Sequence, residues 1–192
     1  MAKPTTREKL LSAGLETLHK RGFNATGVQD ITDAAKVPKG SFYNHFESKD
    51  ALGVEVVARY AAMGAVRRQP LVDGGGPPLV RLRAHFRNLN QLGPAAGFRR
   101  GCLLGNFRTD LSTHSPAIRA AVEAAFDDWT RVIAQVIAEA QEAGDMSRDL
   151  PADTLAGFLL NAWEGAVMRS RVEKSQAALD AFLAVTFNKI LT

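Results

Sequence analysis

The sequence predicts an all-α protein. Three observations carry the prediction. Apolar residues recur at three- and four-residue spacing along almost every segment. Residues that start and stop helices punctuate those segments. No run shows the two-residue alternation of a half-buried strand. The pattern resolves into about nine helices, a three-helix head followed by a helical bundle.

The first helix is expected over Thr6–Arg21, with Leu10, Leu11, Ala13, Leu15 and Leu18 on one side. Thr5 or Thr6 serves as its N-cap. Gly22 turns the chain and Phe23 follows. Val28–Ala35 reads as a short second helix that turns Val28, Ile31 and Ala35 inward. Lys36-Val37-Pro38 is a tight connection, and Pro38 suits a helix's first turn because it has no N–H to leave unpaired. Lys39–Phe46 is the third helix. Ser48 caps a fourth, Lys49–Arg68, with Leu52, Val56 and Tyr60 inward. The stretch 70–78, with Gly74-Gly75-Gly76-Pro77-Pro78, is the clearest loop. Helices then follow over Leu79–Leu92 and Cys102–Leu111, separated by a loop over 93–101. Ser115-Pro116 opens a long helix to Ala143, which Gly144 ends. Pro151 starts Ala152–Val172, and the last helix runs over 175–191.

Composition sets the class. Hydrophobic residues make up 46% of the 192, enough for a core, and 23% are charged, which argues against wholesale disorder. No apolar run approaches the roughly 20 residues of a membrane span, and the start of the chain lacks an apolar signal segment. A soluble, cytoplasmic protein is expected. The single cysteine, Cys102, excludes an intrachain disulfide and a multi-cysteine metal site. No metal and no cofactor is expected. The net charge of +4 is unevenly spread: +2 over residues 1–50, +6 over 51–111 and −4 over 112–192. The front and middle of the chain suit a polyanion better than the back.

Two short helices joined by a tight turn and propped by an outer helix make a helix-turn-helix. The segment Ile31–Phe46 meets that description. Ile31, Ala34, Val37, Phe42 and Phe46 form the inward set. Lys39, Ser41, Tyr43, Asn44 and His45 are the outward groups. Thr26 and Gly27 precede the second helix, where a hydroxyl and unpaired backbone N–H groups can hold a phosphate. Lys49, opening the fourth helix, is placed to reach a duplex backbone.

Gly22-Phe23-Asn24-Ala25-Thr26-Gly27-Val28-Gln29-Asp30-Ile31, followed by Val37-Pro38-Lys39-Gly40-Ser41-Phe42-Tyr43-Asn44-His45-Phe46-Glu47-Ser48-Lys49-Asp50-Ala51-Leu52, closely resembles the DNA-binding head of the TetR/AcrR family of transcriptional regulators. The resemblance implies a helical homodimer, usually a repressor, that leaves a palindromic operator when a small molecule binds its C-terminal domain. It implies a DNA-binding domain at 1–48 and a ligand-binding and dimerisation domain at 49–192. By the same resemblance Gln29, Lys39, Gly40 and Ser41 face bases or the groove, while Thr26, Tyr43, Asn44, His45 and Lys49 contact the duplex backbone. Many members carry Ser or Thr where this chain has Gly27, so a phosphate contact there falls to Thr26 or a backbone amide.

The body offers candidates for a ligand pocket, mainly apolar with a few placed polar groups: Phe86, Arg100, Cys102, Asn106, Phe107, Phe126, Trp129, Trp163 and Glu164. Gly97-Phe98-Arg99-Arg100-Gly101-Cys102-Leu103-Leu104-Gly105-Asn106 and Trp163-Glu164-Gly165-Ala166 resemble a subgroup that includes repressors responding to acrylate and reactive electrophiles. In that subgroup the matching cysteine is tied to sensing. Independently, Arg99 and Arg100 precede Cys102, and nearby cations and a helix N-terminus favour a thiolate. The competing reading of Cys102 is an inert buried thiol. Leu155, Phe158, Leu159, Ala162, Ala166, Phe182, Val185 and Phe187 exceed what one small helical layer needs and are expected to form a dimer face. Small residues such as Gly157 there allow close helix approach. Two rival functions remain. A cysteine-dependent enzyme would need a base, and His85 and His114, the body histidines, sit in no catalytic signature. A DNA-binding protein without a ligand would leave most of the chain without a role.

Overall fold

The computed structural model describes residues 3–111 and 115–192; His114 lies outside them. Among the described residues every regular element is a helix: α1 (Thr6–Arg21), α2 (Val28–Ala35), α3 (Gly40–Tyr43), α4 (Lys49–Asp73), α5 (Pro78–Asn90), α6 (Leu92–Ala95), α7 (Leu103–Leu111), α8 (Pro116–Ala143), α9 (Ala152–Glu173) and α10 (Ala177–Val185), closed by a π-helical turn, Thr186–Ile190. None of the described helices is long and apolar enough to cross a membrane.

These helices form two compact units, the described residues within Met1–Ala62 and Cys102–Ala125, and those within Met63–Gly101 and Phe126–Thr192. Helices α4 and α8 contribute residues to both.

In the first unit, α1 starts with a reciprocal cap. Glu8 N–H donates to Thr5 Oγ1, and Thr5 N–H donates to Glu8 Oε2 at 2.8 Å. Gly22, at φ +85°, ends the helix in a conformation that favours glycine. Leu10, Leu18, Ile31, Phe42, Leu52 and Val56 fill the core. Two glycines set close helix approach. A Cβ on Gly14 would meet Leu52 Cδ2 at 2.7 Å, and one on Gly53 would meet Ile118 and Phe23 at 2.8 and 2.9 Å. Helix α7 joins this unit, because Phe23 N–H donates to Asp110 Oδ2 at 3.0 Å and the Phe23 and Phe107 rings meet edge to face at 5.6 Å.

The second unit packs α5, α9, α10 and the later part of α8 around Leu82, Phe86, Ile133, Ile137, Leu159 and Trp163. Trp163 Nε1–H donates to Asn90 Oδ1 at 2.9 Å, and Asn90 Nδ2 donates to the Leu179 carbonyl at 3.1 Å, so this buried polar chain is satisfied.

Several boundaries differ from the sequence reading. Helix α4 runs through Pro70 to Asp73 instead of stopping at Arg68. Pro70 costs one hydrogen bond near the helix end, and the final turn is held from outside, where Arg81 donates to the Leu71 carbonyl and pairs with Glu139. Helix α3 is shorter than Lys39–Phe46. Tighter bonds such as Phe42 N–H to Lys39 O and His45 N–H to Phe42 O flank its single α-turn. The stretch 93–101 is not all loop, because α6 occupies its beginning.

Candidate functional site

The polar face of α3 is displayed by what lies beneath it. Phe42 and Phe46 are buried with ring centroids 5.6 Å apart, which anchors a helix too short to be stable alone. Lys39, Tyr43, Asn44 and His45 therefore point to solvent, and Ser41 is half-buried. Tyr43 is 58% exposed and keeps only an edge contact with Phe42 at 5.3 Å. Gly40 is exposed at ordinary φ, and an added Cβ would meet nothing within 4 Å. Protein packing therefore does not demand a glycine there. Ala34, expected inward, is exposed, and Val37 is only half-buried. The inward role falls to Thr32, fully buried with its hydroxyl donating to the Gln29 carbonyl at 3.0 Å.

The groups before α2 are arranged differently from the sequence reading. Thr26 is buried and its hydroxyl donates to the Gly22 carbonyl at 2.7 Å, so the side chain closes the turn rather than facing outward. Gly27 N–H donates to Asp30 Oδ2 at 2.8 Å, and Asp30 also pairs with Arg21 at 2.9 Å. The Gly27 hydrogen bond, aided by Arg21 against some burial, holds the Asp30 carboxyl below its usual range. The amides with no intrahelical partner are then those of the first turn, beginning at Val28 and Gln29. Gln29 is exposed, with its amide donating to Asp33 at 2.7 Å.

Lys49 is likewise engaged inside the unit. Its ammonium donates to the carbonyls of Phe23 at 3.0 Å and Thr26 at 2.9 Å, and it lies 4.2 Å from the Phe23 ring centroid. Burial lowers its pKa, with Asp50 opposing. Two of its three N–H groups therefore fix the α1–α2 turn.

The body candidates divide. Phe86, Trp129 and Trp163 gather in the second unit with His85 and Phe182: Phe86–Phe182 centroids are 5.0 Å apart and Trp129–Trp163 centroids 5.4 Å. Phe126 stacks nearly parallel to Trp129, and Glu164 is half-buried. Arg100 is exposed, so it supplies no desolvated clamp for a ligand. Cys102, Asn106 and Phe107 belong to the first unit. Cys102 is 3% exposed and Asn106 half-buried, while Phe107 is core, packed on Phe23.

Sequence reasoning missed Arg68 and gave His85 no ligand-binding role. Arg68 is buried, pairs with Asp128 at 2.9 Å and stands 5.5 Å from the Trp129 ring centroid. A signal was present: Arg68 continues the four-residue inward stripe Leu52, Val56, Tyr60, Gly64. A Cβ on Gly64 would meet Arg68 Nη1 at 2.9 Å, so the glycine makes room for it.

The dimer set also divides. Leu155, Leu159, Ala166 and Phe182 are buried within the chain itself and have no surface to offer a second copy; Ala162 is half-buried. Their side of α9 and α10 faces the unit's own core. Phe158 and Val185 are exposed, at 51% and 52%. Phe158 heads an exposed stripe along α9, Phe158, Asn161, Gly165, Met168 and Val172, that the sequence reading missed beyond its first member.

Comparison with known proteins decides the family. Residues 10–56 match the model described as "Bacterial regulatory proteins, tetR family", and residues 78–186 match "Tetracyclin repressor-like, C-terminal domain". The chain belongs to the TetR family. It is a transcriptional regulator and not an enzyme. This regulator is 38% identical to the HTH-type transcriptional repressor DhaR of Mycobacterium sp. (strain GP1), over all of this chain and 95% of that one. It is 38% identical to the transcriptional regulator AcuR of Cereibacter sphaeroides over 91% of this chain and 80% of that one. It is 32% identical to the repressor NemR of Escherichia coli K12 over 97% and 94%. Its fold overlays a crystal structure of regulatory protein TetR from Rhodobacter sphaeroides with a TM-score of 0.90, at 36% identity over 97% and 99% of the two chains. The reduced form of Escherichia coli NemR overlays with a TM-score of 0.86, at 27% identity over 97% and 98%.

Proposed function

We propose that this regulator is a homodimeric repressor that grips a palindromic operator and releases it when a small-molecule inducer, an electrophile or a weak acid, acts on its C-terminal domain. Residues 1–48 serve as the DNA-binding domain and 49–192 as the ligand-binding and dimerisation domain. Its place of work is the cytoplasm, where operator DNA lies. The observation that carries the reading is the exposed polar face of α3, Lys39, Tyr43, Asn44 and His45, over buried Phe42 and Phe46. Lys39 and Ser41, with Gln29 from α2, read the groove. Tyr43, Asn44, His45 and the first-turn amides of α2 hold phosphates. Thr26 and Lys49 position that surface. Helix α4 starts at Lys49 and carries Arg68, so a single helix contributes residues to both units.

Selecting bound duplexes from a random pool tests the reading. The expected outcome is an inverted repeat whose half-sites lie one helical turn, or a multiple of it, apart. Recovered sites without two-fold symmetry would overturn it. Release is then read by gel shift against a panel of electrophiles and weak acids.

Two substitutions refine the proposal. Gly40→Ala meets no protein atom and is expected to leave stability unchanged or to raise it by up to about 1 kcal/mol. Operator affinity should fall, because the methyl group occupies space that the approaching duplex needs. Unchanged affinity by gel shift would remove Gly40 from the interface. Phe158→Asp places a charge in the exposed α9 stripe. Sedimentation should show the dimer shifted to monomer by about tenfold or more in dissociation constant, with the thermal unfolding of each chain little changed. A dimer of undiminished strength would move the interface elsewhere.

A further inference from the structure

One polar cluster in the second unit is not satisfied by the protein. Arg68 on α4, His85 on α5 and Trp129 on α8 are 6%, 7% and 6% exposed. Each keeps one buried nitrogen, Arg68 Nε, His85 Nε2 and Trp129 Nε1, without a hydrogen-bond partner in the protein. The three lie together. His85 and Trp129 ring centroids are 6.3 Å apart, and the Arg68 guanidinium is 5.5 Å from the Trp129 centroid. Buried polar groups in native proteins are paired as a rule, and Trp163 beside them is paired with Asn90. The same unit thus satisfies one indole and leaves the other open.

The chemistry of the open groups is selective. Arg68 spends Nη2 on Asp128, which leaves its Nε–H edge. Trp129 Nε1–H is a donor only. Two donors and a guanidinium charge call for an anion with two acceptor oxygens. His85 bonds the Arg67 carbonyl, so Nδ1 carries its hydrogen and Nε2 presents a bare lone pair. The surrounding rings of Phe86, Phe126 and Trp163 suit an apolar remainder.

We infer that Arg68, His85 and Trp129 form a recognition site for a small carboxylic acid, its two oxygens accepting from Arg68 Nε–H and Trp129 Nε1–H. The inference rests on the proposed inducer domain and names the chemical class of the inducer. The acid enters neutral. Its O–H bond breaks, the proton forms an N–H bond at His85 Nε2, and the electron pair stays on the carboxylate. No unpaired charge is left buried, because the imidazolium and Arg68 both face the carboxylate. Exposed Arg100 plays no part.

The test uses the full-length protein labelled with 15N, which has two indole N–H signals, assigned with Trp163→Phe. Acetate, butyrate and benzoate are titrated, each against its neutral amide. At least one acid should shift the Trp129 indole signal saturably downfield, move that of Trp163 much less, and bind roughly tenfold more tightly than its amide. Trp129→Phe should weaken binding severalfold, and Arg68→Gln should erase the preference for acid over amide. If Arg68→Gln does not fold, Trp129→Phe and the amides decide. The inference is overturned if no acid at tens of millimolar moves the Trp129 signal, in which case water alone fills the site. It is also overturned if amides bind as tightly as acids, or if Trp129→Phe binds like wild type. A protein that binds acid but no operator refutes the proposed function only. One that binds operator without this acid preference refutes the site only.

Discussion

Replacing Lys39 and Tyr43 together by alanine is expected to abolish specific operator binding while leaving a folded dimer. Each lost groove or backbone contact is worth about 1–3 kcal/mol, and a two-fold dimer loses each twice. The combined loss is expected to be about a thousandfold in affinity or more. Stability should change by no more than about 1 kcal/mol. Lys39 is exposed, and Tyr43 contributes only an edge contact to Phe42, whose buried ring remains. The salt dependence of the Lys39→Ala single variant checks the groove contact proposed for Lys39. A phosphate contact would lower the slope of log affinity against log salt by about 1 per head. A groove contact would instead relax sequence preference. Specific binding retained by the double variant in a gel shift would refute the assignment of the α3 face.

The second large effect is on stability against pH. Burial, reinforced by the neighbouring charge of Arg68, lowers the His85 pKa from 6.5 to about 4, against the opposing hydrogen bond that the imidazole donates to the Arg67 carbonyl. The charged groups that bear on it are Arg68 from α4 and Asp128 from α8, which pairs with Arg68. The unfolded chain takes up the proton first as pH falls. Stability from the neutral buried imidazole is therefore complete above pH about 6.5 and is lost as pH drops toward about 4. A tenfold change in proton affinity is worth about 1.4 kcal/mol, so the whole window is worth about 3 kcal/mol. Urea unfolding of wild type and His85→Leu at pH 7 and near pH 4 checks this. The wild type should lose about 3 kcal/mol more than the variant across that interval. Parallel pH profiles would show that His85 does not titrate as a buried neutral group.

The helices and the family were legible because both rest on local order. Apolar spacing reports which face of a helix is buried, and Thr5, Gly22, Pro116 and Gly144 mark helix ends through backbone chemistry that needs no distant partner. The recognition run from Lys39 to Leu52 is contiguous, so its residues appear side by side in the chain. Polar partners separated by long stretches of chain were not legible. Lys49 looked like a surface cation, yet it closes the α1–α2 turn through the carbonyls of Phe23 and Thr26. Arg100, two residues before Cys102, was a pocket candidate, yet it is exposed and Arg68 is buried.

The sequence by itself determined the all-α class, the helix-turn-helix at Val28–Phe46 and membership of a regulator family. The tertiary structure alone decided which polar groups are already taken, which side of α9 is core and which is open to a partner, and which nitrogens remain unpaired beside Trp129. The reason is physical. Helix periodicity is a property of a dozen neighbouring residues. Burial of a charge and satisfaction of a donor depend on atoms that arrive from elsewhere in the chain.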